Sequence, residues 1–465
     1  MLERNERNRI KLSKTIQVII LLVTLFAFVS CGGNTAYEEN ISPTTSPSNS
    51  QGETEVIPSQ GTQSTTDQIK IDYSTDALLA VTEIENTHPI FITGELPDNY
   101  NDFRDEYLTR TSEPLTKTEF LLATQKYLTI LSDGHMGGGL FKDGLFIDID
   151  WVSENSSIYL LNENGTPSET EVIEIGGVAL KDIMEQVDLY YYAENDAAQQ
   201  RQYSVYCRQE EMLSLAGCQY SGKSVMLTVQ NNNTTSMIEC KLVFRTRLSE
   251  YYGKNPIYII KHRMIDDVFY IDLRIFQNDK SIDDTASAIK DAIENGIYKF
   301  IIDIRDNGGG DSIVGEKLLD AMGMSVPSYG CYIRFSELSE KQRGESGGEE
   351  VVYYEPTTKS AQSNNNISLS ILTNNNTFSS ATILGVWVQD GKLGNVIGQP
   401  SSNSPTSYGD MLSFHLPVSG IDFSISHKKF LRPDSDADPT TLHPDILAES
   451  NEDALELALD YLSQR

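Results

Sequence analysis

Ser379 stands between a short polar loop, TNNNTF, and an apolar stretch with helical spacing, SATILGVWVQ. A hydroxyl at such a junction lies beside the first N–H groups of the helix and the positive end of its dipole, which stabilise an alkoxide or a tetrahedral oxyanion. Serine is also a good N-cap, so capping by Ser379 or Ser380 explains the same pattern. The segment alone therefore indicates either a nucleophile or a helix cap.

Two glycine-rich loops could supply the groups that a serine nucleophile needs. The strand KFIIDI breaks into RDNGGG, where three glycines allow close backbone approach and could provide half an oxyanion hole. In LSDGHMGGG, His135 follows an apolar helix and could act as a general base. Glycine-rich turns and solvated loop histidines are common in α/β proteins, so neither loop is specific alone.

Taken in order, several segments resemble the C-terminal processing (tail-specific) and tricorn-core serine peptidase family. These segments are His88-Pro89, DGH, EIGGVAL, IDIRDNGGG, LTNNNTFSSA, GQPSSNSPTSYGD and LHPDI. The resemblance runs from about residue 88 to the C-terminus. It implies an α/β fold with a crotonase/Clp-like spiral ββα catalytic core. It also implies Ser379 as the nucleophile, and an oxyanion hole built from the N–H of Gly309 or Gly310 together with that of Ser380.

The choice of general base follows from the branches of that family. The Ser/Lys branch carries its lysine about two dozen residues after the serine, but no lysine occurs between Leu393 and His427. The resemblance therefore points to the histidine-dependent branch, with His135 as the base. In that branch an acid lies six residues before a Pro-Asp pair, which places Asp438 before Pro444; Asp434 and Asp436 are its local competitors.

Two departures from the family pattern leave an alternative open. Thr382 stands where the family often has an acidic residue, and Gly134 stands where the tricorn type has serine. The leading prediction is a serine endopeptidase, a hydrolase whose partner is a peptide or protein substrate. The alternative is a catalytically inactive lipoprotein that binds peptides or other ligands on the same fold.

The N-terminal segment predicts export and lipid anchoring. Basic residues precede the apolar run TIQVIILLVTLFAFVS, and FVSC resembles a bacterial lipobox with Cys31 as the lipidated residue. An uncleaved anchor helix is the alternative, and either would tether the protein to the cell membrane, facing the outside of the cytoplasm. Residues 34–66 are almost free of large apolar side chains, which predicts a disordered linker.

Composition excludes several other classes of function. The net charge of −31 argues against nucleic acid or anionic head groups as ligands. The cysteines lack metal-ligand spacing, so we expect neither a structural zinc nor another cofactor. We expect a signal peptide at 1–30, a linker at 31–70, a helical region at 71–144, a PDZ-like or family-specific β-rich module at 145–250 and a catalytic core at 255–465. The polar segment 337–366 is predicted to be a loop or lid.

Overall fold

The fold is described from a computed structural model of the chain. The structure describes residues 69–137, 140–141, 144–163, 165–244, 258–344, 351–449 and 453–465. These residues belong to one contact unit, Thr65–Arg465. The predicted signal peptide, the lipobox at Cys31 and nearly all of the predicted linker lie outside the described residues, so those interpretations stay predictions.

A group of helices precedes the loop that carries His135. They are α1 (Ser74–Thr87), α2 (Ile90–Thr93), α3 (Tyr100–Thr111) and α4 (Lys117–Leu128), followed by a 3₁₀ turn at Thr129–Leu131. Helix α4 begins with a capping box in which the side chains of Thr116 and Glu119 each bond the other residue's backbone N–H. Its apolar face, including Phe120 and Leu128, is buried. The capped start and buried face fix where α4 ends, and hence where the His135 loop begins.

An antiparallel sheet of eight strands follows. Its strands are β1 (Leu145–Ile147), β2 (Trp151–Glu154), β3 (Ser157–Leu161), β4 (Pro167–Ile175), β5 (Val178–Ala179), β6 (Tyr220–Ser221), β7 (Ser224–Asn231) and β8 (Thr234–Phe244). Its main path runs β1-β8-β7-β4-β3-β2. Helices α5 (Leu180–Tyr190), α6 (Asp196–Tyr206) and α7 (Glu210–Leu215) interrupt it between β5 and β6. Its identity as a PDZ-like module stays a prediction.

The six-stranded sheet of the core is mostly parallel. In sequence it contains β9 (Ile260–Ile265), β10 (Val268–Leu273), β11 (Lys299–Asp303), β14 (Ser368–Thr373), β15 (Asn395–Gly398) and β18 (Ile446–Leu447). The spatial order is β18-β15-β14-β11-β10-β9, and only β9 runs antiparallel to its neighbour. Strands β11 and β14 are buried on both faces, which suits their nearly continuous apolar sequences.

Helices cover both faces of this sheet. Helices α8 (Lys280–Glu294), α9 (Ile313–Ala321) and α11 (Ser380–Asp390) pack on one face, where Phe300 and Ile371 are completely buried. Helix α12 (Ala454–Ser463) packs on the other, against Ile301 and Leu372. The alternation of apolar strands with amphipathic helices predicted a mixed α/β core, and that prediction is confirmed.

A smaller antiparallel sheet connects the core to the N-terminal helices. Its strands, in spatial order β13-β12-β17-β16, are Val351–Tyr354, Gly330–Arg334, Ile421–Leu431 and Ser407–Leu416. Apolar side chains of β16 and β17 share one buried cluster with helices α1 to α4. The segment predicted as a loop or lid instead contains helix α10 (Glu337–Arg343) and strand β13, so that prediction is wrong there.

The parallel strands determine where the core could carry a site. Strands β11, β14 and β15 are neighbours, and their carboxyl ends lead into RDNGGG, NNNTFS and QPSSNSP respectively. Ligands of open α/β sheets bind outside the carboxyl ends of the strands. Within the part of the chain that the structure describes, no helix combines the length and apolar character needed to cross a membrane.

Candidate active site

Ser379 lies at the turn between β14 and α11, in a backbone conformation that is rare for a residue with a side chain. Its φ is 54° and its ψ is −125°, and such conformations cost on the order of 1–3 kcal/mol. It occupies the N-cap position of α11, but its side chain makes no capping hydrogen bond. The Ser379 side chain therefore does not cap the helix. Its hydroxyl remains available to another partner.

That partner is His135. The Nε2 atom of His135 lies 3.1 Å from Ser379 Oγ, although 244 positions separate the two residues in sequence. The histidine side chain is only 10% exposed. If Nε2 accepts the serine proton, Nδ1 must carry the other ring proton. The sequence-predicted nucleophile and base are thus brought together at hydrogen-bonding distance.

Asp133 lies on the far side of the imidazole. Its Oδ1 is 3.4 Å from His135 Nδ1 and also accepts the backbone N–H of His135 at 2.8 Å. Nδ1 makes no closer polar contact with the described residues. Hydrogen bonds of catalytic groups are often long before substrate binds, and this contact would shorten as the ring gains charge. Asp133 is therefore placed to hold the imidazole and stabilise its protonated form.

Asp133 is itself held by two further donors. The completely buried His88 accepts the N–H of Ile90 at Nδ1, so its Nε2–H donates to Asp133 Oδ2 at 3.2 Å. The Ser426 hydroxyl of strand β17 donates to the same oxygen at 2.6 Å. Burial alone would raise the pKa of Asp133, but the hydrogen bonds from His135 and His88 outweigh burial and lower it. The carboxylate is consequently charged whenever the protein is folded near neutral pH.

The structure does not support Asp438 as the acid that orients His135. Its Oδ1 accepts bonds from Thr440 and from the Thr441 N–H, and its Oδ2 lies 3.1 Å from His443 Nε2. The side chain of Asp438 is 39% exposed. The Asp438 carboxylate is thus hydrogen-bonded within its own turn. The acid that lies beside His135 is Asp133.

Glu194 ties the loops of the site together. Its Oε1 accepts the N–H of Gly134 at 3.0 Å, and its Oε2 accepts Asn403 Nδ2 at 2.7 Å and the Ser404 N–H at 2.6 Å. The Asn403 side chain in turn accepts the N–H of Ser379 at 3.0 Å. One carboxylate, from the segment between α5 and α6, is thereby bonded to the base loop directly and to the nucleophile through one amide.

The presence of Glu194 explains why residue 134 is glycine. A Cβ built on Gly134 would lie only 2.6 Å from Glu194 Oε1, so a serine there would require the glutamate to move. Burial raises the pKa of Glu194, against the effect of its hydrogen-bond donors. No motif in the sequence singles out Glu194, and no signal there could have linked it to residues 60 positions earlier and 209 later.

The glycine-rich loop lies directly against the nucleophile. A Cβ on Gly309 would lie 2.8 Å from both Ser379 Cβ and Ser380 N. The Gly309 N–H, however, donates to Asn307 Oδ1 at 2.8 Å. Gly309 is therefore not available as the oxyanion donor, because its only N–H is already bonded.

Gly310 and Ser380 remain as the donors for an oxyanion. Within the described residues, neither backbone N–H bonds to another protein group. The Ser380 hydroxyl donates to Gly310 O at 2.5 Å, which joins the two loops and uses that hydroxyl structurally. The backbone around Ser379 can thus offer one N–H from each loop.

The charges around His135 favour its protonated form. Burial lowers the pKa of His135, but the Asp133 and Glu194 carboxylates outweigh it and raise the pKa above the ordinary value. Ligand atoms of these three residues lie within 4.8 Å of one another, so they could also hold a cation. Each carboxylate oxygen already accepts a hydrogen bond, and His135 Nε2 faces Ser379, so the arrangement is better suited to proton transfer.

Lys392 lies just before the lysine-free stretch from Leu393 to His427, and it is remote from this geometry. Lys392, the alternative base if a lysine were used, follows the C-terminal end of α11 and is exposed. A helix of 11 residues is roughly 16 Å long, so this lysine lies at the opposite end of the helix from Ser379. The histidine-dependent arrangement is the one the structure contains.

Residues 267–447 match the model of peptidase family S41. Mature CPAF is similar in structure, with a TM-score of 0.58, 13% identity, and coverage of 84% of this chain and 95% of CPAF. CPAF complexed with lactacystin gives a TM-score of 0.57 at 12% identity, covering 84% of this chain and 97% of CPAF.

A photosystem II D1 C-terminal processing protease matches less closely, with a TM-score of 0.44 and 13% identity over 82% of this chain and 94% of that protease. Among curated proteins, none matches the sequence. The similarity to CPAF establishes the fold over most of the chain. The segment that matches the model of peptidase family S41 includes Ser379.

Proposed function

We propose that this chain is a membrane-tethered serine endopeptidase that acts outside the cytoplasm. The observation that carries the proposal is the 3.1 Å contact between Ser379 Oγ and His135 Nε2, with the Asp133 carboxylate behind the ring. A serine, an imidazole and a buried carboxylate in this order form the arrangement that activates a serine hydroxyl for attack on a carbonyl.

In the first half of the reaction the serine forms an ester with the substrate. Ser379 Oγ attacks the peptide carbonyl carbon while His135 Nε2 takes the hydroxyl proton. The carbonyl oxygen becomes an oxyanion, which the N–H groups of Gly310 and Ser380 would stabilise. When the C–N bond breaks, His135 returns the proton to the leaving amine, so the imidazole is neutral again.

In the second half a water molecule takes the place of the amine. His135 removes a proton from the water, which attacks the ester carbonyl and forms a second oxyanion. Ser379 then leaves and recovers its proton from His135. In both halves the imidazole is transiently positive, and Asp133 stabilises that charge without taking the proton itself.

Tethering to the membrane is proposed from the N-terminal sequence. A basic start, a short apolar run and Cys31 after FVS match a lipoprotein signal. The polar linker that follows would separate the catalytic core from the membrane surface and let it reach protein substrates.

The decisive experiment is labelling of the exported protein with a fluorophosphonate, followed by mass spectrometry of the modified peptide. We expect modification of Ser379, and loss of labelling in Ser379→Ala and His135→Ala. Ser380→Ala serves as the neighbouring control, because its hydroxyl is bonded to Gly310 O and is nearly inaccessible. A folded protein that does not label, and hydrolyses no peptide, would instead be the inactive binding lipoprotein.

A further inference from the structure

Arg201 of helix α6 lies at the edge of the proposed active site. Its guanidinium carbon is 5.6 Å from the centroid of the Phe378 ring, within the range of a cation–π contact. Phe378 directly precedes Ser379, and its ring centroid is 4.6 Å from that of His135. A fixed positive charge therefore stands next to the residues that would carry out the reaction.

Arg201 forms no ion pair with a carboxylate in the part of the chain that the structure describes. No Asp or Glu of the described residues lies within 4.0 Å of its guanidinium nitrogens. By contrast Arg305, Arg343 and Arg432, the arginines near the other loops of the core, each form an ion pair with an aspartate. In a chain with 67 acidic and 36 basic residues, a partly buried arginine beside the nucleophile that pairs with no carboxylate of the described residues calls for an anion from a ligand.

The acidic groups of the site do not meet this need. Asp133 is bonded to both histidines and to Ser426, and Glu194 to three N–H groups. The contact with Phe378 places the guanidinium beside the site, and among the described residues none of its N–H groups donates a hydrogen bond. A guanidinium presents its N–H groups in a fork that matches the two oxygens of a carboxylate, with which arginine forms paired hydrogen bonds.

We propose that Arg201 is a specificity-determining residue that binds a carboxylate of the substrate. This inference rests on the peptidase function proposed above and names its substrate class: peptides with an anionic group close to the scissile bond. An extended peptide advances about 3.3–3.6 Å per residue, so the group would belong to a position within about three residues of that bond. Either an Asp or Glu side chain or the C-terminal carboxylate supplies the required chemistry.

Binding is measured first in the Ser379→Ala variant, because it cannot turn the peptides over. Three matched pairs of fluorescent peptides are compared by anisotropy: C-terminal acid against C-terminal amide, internal Asp against Asn, and internal Glu against Gln. We expect the carboxylate member of at least one pair to bind about 10- to 100-fold more tightly, the range of a charge-assisted hydrogen-bonded pair. The pair that discriminates identifies the source of the carboxylate.

Substitutions then assign the preference to this side chain. In the same background, Arg201→Gln is expected to abolish the preference, Arg201→Lys to keep a reduced part of it, and Arg201→Glu to reverse it. Arg263→Gln is the matched control, because Arg263 lies over the Tyr270 ring at 5.1 Å on the edge strand β9 and should leave the preference intact. A variant that has lost its fold would lose both members of a pair, so the ratio reports specificity alone.

The outcomes separate this proposal from the one on which it rests. If no pair discriminates, or if Arg201→Gln and Arg201→Lys keep the full preference, the role of Arg201 is refuted even when the wild type hydrolyses peptides. If the preference follows Arg201 but the wild type cleaves none of the peptides, the carboxylate site stands and the peptidase function fails.

Discussion

Replacing Asp133 with asparagine removes one negative charge behind His135 and changes the side-chain volume very little. The backbone N–H of His135 and the donors from His88 and Ser426 all converge on this carboxylate. An asparagine can still accept some of these bonds, but its amide cannot stabilise a positive imidazole as a carboxylate does. The substitution therefore tests whether Asp133 is the acid that orients the base.

The size of the effect follows from the geometry. Asp133 Oδ1 and His135 Nδ1 are 3.4 Å apart, and the two side chains are 0% and 10% exposed. With an effective dielectric constant of about 20, two unit charges at this separation attract by about 5 kcal/mol. If this attraction is lost from a transition state that contains the imidazolium, kcat falls by between about 10³- and 10⁴-fold.

The assay is steady-state hydrolysis of a fluorogenic peptide by Asp133→Asn and by Asp438→Asn. We expect kcat to collapse in the first with KM nearly unchanged, and to change by less than about tenfold in the second, which is about 1.4 kcal/mol. Asp438→Asn is a fair control because it is also an Asp-to-Asn change and its carboxylate contacts only its own turn. Thermal unfolding of both variants verifies that the fold is retained.

Two results would refute this reasoning. A folded Asp133→Asn that keeps more than about a tenth of wild-type kcat would show that the carboxylate does not support the base. An equal collapse in Asp438→Asn would restore the acid that the family pattern implies. The pH dependence gives an independent check, because loss of the Asp133 charge should move the acid limb of kcat/KM to lower pH.

Three further predictions concern other parts of the molecule. Because His135 must be neutral to accept a proton and its pKa is raised above the usual 6.5, activity should fall as the pH drops through an apparent pKa above that value in a kcat/KM profile. Gly310→Ala should lower the unfolding midpoint and the activity, because φ is 136° and a new Cβ would lie 2.3 Å from Phe276 O, whereas Gly308→Ala, with no atom within 4 Å, should change neither in a melting assay. Cys31→Ala should shift the protein from the membrane fraction or leave it unprocessed, and mass spectrometry of the wild type should find a diacylglycerol on Cys31.

The family resemblance led from the sequence to the proposed nucleophile and base, and the structure brings the two residues together. Ser379 comes at the carboxyl end of a buried parallel strand, and RDNGGG at the end of its neighbour. Parallel strands deliver their following loops to one edge of the sheet, which is the physical reason why these two loops lie together. His135 required the family resemblance, because nothing in the helices before it shows which loop they will face.

The acid was misplaced because spacing was given more weight than local turn chemistry. Asp438 is followed by Pro439, Thr440 and Thr441, and an aspartate bonded to N–H groups two and three residues later is a common turn. Asp133 is the first residue of the DGH segment. Its carboxylate accepts the N–H of the residue two positions later, which is the same local pattern, and here that residue is the base itself.

Glu194 is a residue of the site that the sequence alone does not indicate. Its three hydrogen bonds join a loop that follows the N-terminal helices to a loop that follows β15, across separations of 60 and about 210 residues. Such a contact depends on how α5 and α6 pack against the core, and that packing is encoded by many apolar side chains and by no motif. The sequence and its family resemblance therefore indicated the proposed base and nucleophile, but not the group that connects them.

Three separately packed parts of the chain position the residues of the site. Ser379 is held by the strand edge of the core, His135 by the N-terminal helices and the small sheet, and Glu194 by the segment between α5 and α6. The 3.1 Å contact between nucleophile and base therefore depends on three separately packed parts of the chain meeting correctly. Glu194 bonds to two of the loops at once, so displacement of its segment would release the Gly134 N–H and Asn403 together. The β-rich module is thus part of the geometry of the candidate site, because the Glu194 carboxylate that it contributes helps to fix the positions of both the His135 loop and Ser379.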